Sequence, residues 1–211
     1  IPLEYYTETL KKQAVVNAGV IFILRDQQEN GKFTITEFLY ENGIADYVAE
    51  LAGDDAITPV HFVQTERRGR DREDKPDYKV KLTAAFCFTR NTPNITYFHN
   101  SSWLEHGGAP EKAVKSAFVS AIDAHIRQAN KYPKGSTKIG YADIADSLTL
   151  VTNSFSTVTS YENQTKKAIN NRFIQEAMTD FLRSALEVYF IENRQDADKI
   201  ADQVLRNKQI R

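Results

Sequence analysis

From residue 78 to residue 88 the chain alternates strictly. Tyr78, Val80, Leu82, Ala84, Phe86 and Phe88 carry apolar side chains, and Lys79, Lys81 and Thr83 stand between them. Successive side chains of a strand point to opposite faces, so this stretch predicts a long strand with one buried face, central in its sheet. A buried face needs a covering layer, and the candidates are helices. Val114, Ala117, Phe118, Ala121, Ile122 and Ile126 recur at helical spacing after Pro110, which suits a first helical turn. From Arg172 to Asn193 a second stripe runs through Ile174, Ala177, Met178, Phe181, Leu182, Ala185, Leu186 and Tyr189. A third follows through Ala197, Ile200, Ala201, Val204 and Leu205, with Asn193 or Asp196 as its cap.

Shorter strands are predicted at Val60–Val63, Ile95–His99 and Leu148–Phe155. At the N-terminal end, Leu3–Asn17 reads as a helix stopped by Gly19. Val20–Leu24 is a continuous apolar run, expected to be a strand buried on both faces. Gln28–Gly31 then turns the chain into an alternating partner, Phe33–Phe38. Ile44, Tyr47, Val48 and Leu51 predict a short helix. The fold class is therefore α/β, as an α+β two-layer arrangement in which helices cover a mixed sheet.

A chain of 211 residues holds a sizeable core. Its net charge of -1 argues against a dedicated nucleic-acid clamp, although a local basic surface remains compatible with it. Arg67–Pro76 is dense in charge, but Asp71, Glu73 and Asp74 offset the arginines, which favours a solvated hairpin turn over a DNA-facing tip. The single cysteine, Cys87, reads as packing or inert surface. His61, His99, His106 and His125 show no metal-ligand spacing, and no nucleophile elbow or Gly-rich phosphate loop is present. No apolar run is long enough to span a membrane. The chain begins Ile1-Pro2 and has Met178 as its one methionine, so a piece of a longer polypeptide is expected. Neither a complete active site nor a metal site is expected in it.

One polar stretch stands out against this background. Ser160-Tyr161-Glu162-Asn163-Gln164-Thr165-Lys166-Lys167-Ala168-Ile169-Asn170-Asn171-Arg172-Phe173 follows the strand ending at Phe155 and runs into the helix beginning at Arg172. Such a junction is where backbone N–H groups and a mobile cation meet an anion. Gln164 supplies an amide donor and Lys166 a point charge. A solvated surface loop is the alternative.

The stretch resembles the Gln-Thr-Lys loop of type IIA DNA topoisomerases, the family of the DNA gyrase and topoisomerase IV B subunits. Other parts fit that family: the Tyr40-Glu41-Asn42-Gly43-Ile44 start, the Gly107-Gly108 doublet before a long helix, and a last long helix ending near Tyr189-Phe190-Ile191-Glu192-Asn193. Two segments depart from it. Gly107-Gly108-Ala109-Pro110 replaces a Gly-Gly-Thr-His pattern, and Gly140–Leu148 lacks an Arg-Glu-Gly core. The resemblance implies a transducer domain, with the fold of the second domain of a small-subunit ribosomal protein and a left-handed βαβ crossover. It implies a transducer core over 1–170 and a C-terminal helical exit arm over 171–211. It also implies that Gln164 and Lys166 contact the γ-phosphate of ATP, Lys166 as the catalytic group. Lys115, seven positions after Gly108, falls where the family has a basic residue facing a DNA-transit cavity. ATP, with Mg²⁺, is held by an ATPase domain outside this chain. The implied partners are DNA, that ATPase domain, a metal-binding cleavage domain, a topoisomerase A subunit and a second copy, in the cytoplasm. Two rival readings are a nucleic-acid- or protein-binding module of the same fold and the equivalent domain of a mismatch-repair or heat-shock ATPase.

Overall fold

A computed structural model describes residues 1–162 and 166–211. In chain order the elements are α1 (Leu3–Val16), β1 (Phe22–Gln27), β2 (Phe33–Phe38), α2 (Ile44–Ala52), β3 (His61–Gly69), β4 (Tyr78–Phe88), β5 (Asn94–His99), β6 (Ser102–Leu104), β7 (Gly107–Gly108), α3 (Ala109–Gln128), α4 (Tyr141–Ala145), β8 (Leu148–Ser156), β9 (Ala168–Ile169), α5 (Arg172–Glu192) and α6 (Arg194–Ile210).

The main sheet has the order β3-β4-β8-β5-β6. β4 is interior, as its alternation predicts, and pairs antiparallel with both β3 and β8. β5 and β8 are parallel, and α3 lies in the connection between them, which makes a β–α–β crossover. One face of β4 buries Tyr78, Val80, Leu82, Ala84, Phe86 and Phe88 in a core shared with α3, α5 and α6. Phe86 and Phe118 of α3 meet edge to face at 5.4 Å between ring centroids. Burying each such side chain is worth about 1.5–3 kcal/mol, so this layer supplies much of the driving force.

The opposite face is covered only at one end. There Ala85, Cys87, Phe98 and Val151 pack with Ala14 and Val15 of α1 and Val48 of α2, while Lys79 and Lys81 stay exposed. Cys87 is thus core, not surface, and burial pushes its thiol up to about 11. α5 and α6 lie against the sheet and α3 along their buried faces. The C-terminal end of α6 is tied to α4, where Asn207 donates to the Asp143 carbonyl and to Ser147 Oγ.

Two expectations need correction. The Val20–Leu24 run is not buried on both faces. β1 forms a separate two-stranded ribbon with β2, and Ile21 and Ile23 are about half exposed, because only one side of the ribbon is turned toward α1. The charge-dense stretch begins later than its composition suggests. Arg67, Arg68 and Gly69 continue β3, paired with Val80, Lys79 and Tyr78. Arg67 reaches Asp180 of α5 at 2.8 Å, so the start of this stretch joins the fold rather than facing outward as a turn. The Gly140–Leu148 segment also contains a helix, α4, in which the Asp143 carboxylate accepts the Gly140 N–H at 2.9 Å. No helix among the described residues is long and apolar enough to cross a membrane.

Candidate functional site

The segment between β8 and α5 is closed at its base by a short ladder. Glu162 donates its N–H to the Ala168 carbonyl at 2.9 Å, and Asn170 donates to Ser160 at 2.8 Å. Tyr161 and Ile169 form the antiparallel bridge between these bonds. Lys166 lies above the ladder, exposed, with a φ of 58°. A non-glycine residue at positive φ is uncommon and costs free energy unless its surroundings hold it. Lys166 makes no ion pair with another described residue. Lys167 does: its ammonium is 2.7 Å from the Glu105 carboxylate, whose pKa is lowered chiefly by that contact. Gln164 lies outside the described residues.

Both sides of the ladder are fixed to the rest of the fold. On the incoming side, His99 bonds Ser154 Oγ at 2.7 Å and Thr159 Oγ1 at 2.8 Å. The Asn100 side chain exchanges a pair of bonds with the Ser156 backbone. On the outgoing side, β9 pairs in parallel with β7, so Ala168-Ile169 lies against Gly107-Gly108 at the start of α3. His106 adds a bond from its N–H to the Lys167 carbonyl at 2.9 Å. A Cβ on Gly108 would sit 2.1 Å from the Ile169 carbonyl oxygen, and one on Gly107 would strike the Tyr97 ring at 2.7 Å. Both glycines also have positive φ. The doublet is therefore required by the close approach of the loop's outgoing strand.

Asn171 closes the base. It is 1% exposed, and its Oδ1 accepts the Ser160 N–H at 2.7 Å. Its Nδ2 donates to Asp71, to the Tyr78 hydroxyl and to the Val158 carbonyl. With its side chain so engaged, Asn171 does not cap α5. Asp71 does this instead from the β3–β4 connection, accepting the Phe173 N–H at 3.0 Å. The same Asp71 oxygen accepts the Tyr78 hydroxyl at 2.6 Å. Burial, and then this bond, raises the Tyr78 pKa. Phe173 lies over Gly69, where a Cβ would be 2.3 Å from its ring.

Lys115 is placed elsewhere. It is on the outer face of α3, 3.2 Å from Glu111 and 5.6 Å from the Tyr141 ring centroid. Lys112, Arg127 and Lys138 share its shallow groove with Asp123. Among the described residues its contacts are to Glu111 of α3 and Tyr141 of α4. The histidines play structural parts: His61 stacks on Tyr189 at 4.3 Å, and His125 pairs with Asp198 at 3.1 Å. No cluster of three or more His, Cys, Asp or Glu side chains that could hold a metal occurs among the described residues.

Sequence reasoning missed Asp71 and Tyr78 as parts of this site and gave Asn171, inside the polar stretch, no role. Asn171, just before a helical stripe, carried a local signal as a capping residue type. Asp71 carried none, because its partners at the loop base, Asn171 and Phe173, lie about a hundred positions away in the chain.

The family profile described as DNA gyrase B matches residues 43–211. The chain belongs to that family. The DNA gyrase B subunit of Mycoplasmoides gallisepticum is 29% identical over 197 residues, covering 92% of this chain and 30% of that protein. The corresponding gyrase B protein of Synechocystis is 25% identical, covering 98% of this chain and 19% of that protein. The chain thus spans less than a third of these curated relatives. Among solved structures, the 43K ATPase domain of Thermus thermophilus gyrase B, in complex with an aminocoumarin, superposes with a TM-score of 0.72 at 20% identity, over 98% of this chain and 53% of that one. The topoisomerase IV ATP-binding domain of Francisella tularensis gives 0.71 at 16% identity, over 100% of this chain and 55% of that one. These structures share the fold: a mixed α/β sheet with long C-terminal helices. The family match begins at Gly43, so α1 and the β1–β2 ribbon lie outside it.

Proposed function

We propose that this chain is the transducer region of the B subunit of an ATP-dependent type IIA DNA topoisomerase. It couples ATP binding and hydrolysis in an adjacent ATPase domain to DNA strand passage. Gln164 and Lys166 contact the γ-phosphate of ATP, and the ATPase domain holds the nucleotide and Mg²⁺. A positioned ammonium stabilises negative charge as the bond to the terminal phosphate breaks. Lys115 faces the passing DNA. Residues 1–170 act as the transducer core, and 171–211 carry the change toward a metal-binding cleavage domain. A topoisomerase A subunit and a second copy complete a cytoplasmic enzyme.

The observation that carries this reading is the double anchorage of the loop base. β9 is bonded to the start of α3 through Gly107-Gly108, and Asn171 stands at the start of α5. A γ-phosphate that draws Lys166 toward it pulls on two long helices at once. Such a phosphate acts as the differential ligand of a two-state segment.

Amide hydrogen exchange on the full-length protein tests this. A non-hydrolysable ATP analogue should protect the Glu162 and Asn170 amides, ADP should protect them less, and Lys166→Ala should abolish the difference. Lys115→Glu should leave that protection intact while lowering strand passage, because it places a carboxylate near a polyanion. Equal protection by ADP and the analogue would contradict the reading.

A further inference from the structure

Asp71 accepts hydrogen bonds at both carboxylate oxygens, and among the described residues its donors come from β4, from the start of α5 and from Asn171 at the loop base. Oδ1 takes the Tyr78 hydroxyl and the Phe173 N–H, and Oδ2 takes Asn171 Nδ2 at 3.1 Å. The direction of the Asn171 amide follows from this. With its NH₂ turned to Asp71, its oxygen faces Ser160 and holds the incoming side of the ladder at 2.7 Å. Tyr78, 5% exposed at the start of the interior strand β4, gives the pair a rigid seat. Its ring meets Phe173 edge to face at 5.4 Å.

We infer that Asp71 and Asn171 are positioning residues that set the orientation of the loop carrying Lys166. The β3–β4 connection is thereby a third support of the nucleotide-sensing loop, beside the starts of α3 and α5. Asp71 links the cap of α5 to the ladder beneath Lys166, so the helix cannot shift without moving the loop. The consequence for ATP turnover rests on the transducer reading. The mechanical role at the loop base does not.

The chemistry supplies an exchange test. An amide accepts at one end only, so Asp71→Asn sets an NH₂ group against a donor. Asn171→Asp instead sets two carboxylates against each other. The double exchange, Asp71→Asn with Asn171→Asp, restores a donor facing an acceptor between the two side chains and keeps an acceptor for the Ser160 N–H, but it turns a carboxylate oxygen toward the Tyr78 hydroxyl and the Val158 carbonyl, so the rescue is partial. In the full-length protein, each single variant should speed exchange at the Glu162 and Asn170 amides on the order of tenfold. The Leu82 and Phe86 amides, in the core, should be unchanged, which separates a local effect from misfolding. kcat for ATP should fall on the order of tenfold with KM little altered, and the double exchange should recover part of both readouts.

Unchanged exchange at Glu162 and Asn170 in the single variants would overturn the inference, as would a double exchange that recovers neither readout. Faster exchange with normal turnover has two meanings, decided by Lys166→Ala. If Lys166→Ala is crippling, the positioning role falls. If Lys166→Ala is silent too, the positioning of the loop stands and the phosphate-sensing reading falls.

Discussion

His99 shows how a single side chain serves the loop. It is fully buried, bonded on both ring nitrogens, and burial pushes its pKa down to about 4. Unfolded, the imidazole titrates near 6.5. Between those values the unfolded chain binds the extra proton and the folded chain does not, so stability is complete above about pH 6.5 and is lost as pH falls toward 4. The expected loss from this residue between pH 7.5 and pH 5 is about 2 kcal/mol. Urea midpoints at the two pH values check it: the wild type should lose more than His99→Gln. Equal losses would show that His99 is protonated in the folded chain. None of this was legible from one histidine in a strand ending, because burial and two hydroxyl partners arrive only with tertiary structure. Lys166 was legible as an exposed loop residue because it sits in a polar run outside every apolar stripe. Cys87 was half legible: alternation gave its face, but not the helix that covers it.

Among the elements, long amphipathic ones were easiest to read. β4, β8, α3 and α5 lie close to where their periodicity puts them, since each offsets its ordering cost by burying one continuous face. The two-residue strands β7 and β9 had no periodicity to show, and their pairing joins positions about sixty apart. The β1–β2 hairpin was legible, but the burial of its first strand was misread because an apolar run alone does not say how many layers cover it. Gly108 is where the short pair is most exposed to test. Gly108→Ala places a methyl group 2.1 Å from the Ile169 carbonyl oxygen on a backbone with φ 77°. The expected result is a loss of more than about 2 kcal/mol, or separation of β7 from β9, seen as fast exchange at the His106 amide. Gly135 has φ 78° and nothing within 4 Å of an added Cβ. Gly135→Ala should therefore cost only about 1 kcal/mol of backbone strain. Similar costs at both sites would mean that the close contact with Ile169 does not hold the loop.

For the whole molecule, the division of labour follows from what one chain can hold. A mixed sheet with α3 and α5 across it makes a stiff body, and the loop is bonded to the starts of both helices. The family was legible because a few motifs stand at fixed places along a periodic frame. The contact between the β3–β4 connection and the start of α5 was not, because Asp71 and Asn171 stand a hundred positions apart in the chain. The central claim is that Lys166, and not generic loop charge, senses the terminal phosphate. Lys167 is the control: it is adjacent and equally charged, yet its ammonium is already held by Glu105 in an exposed pair of the kind worth at most about 1 kcal/mol. The most direct measurement is the steady-state ATP turnover of the full-length protein carrying Lys166→Ala beside that carrying Lys167→Ala. A charge-assisted hydrogen bond of roughly 1.5–3 kcal/mol corresponds to about ten- to a hundred-fold in rate, so Lys166→Ala should fall by that factor while Lys167→Ala stays within about twofold of the wild type. Equal losses in the two variants would contradict the assignment of Lys166 as the phosphate sensor.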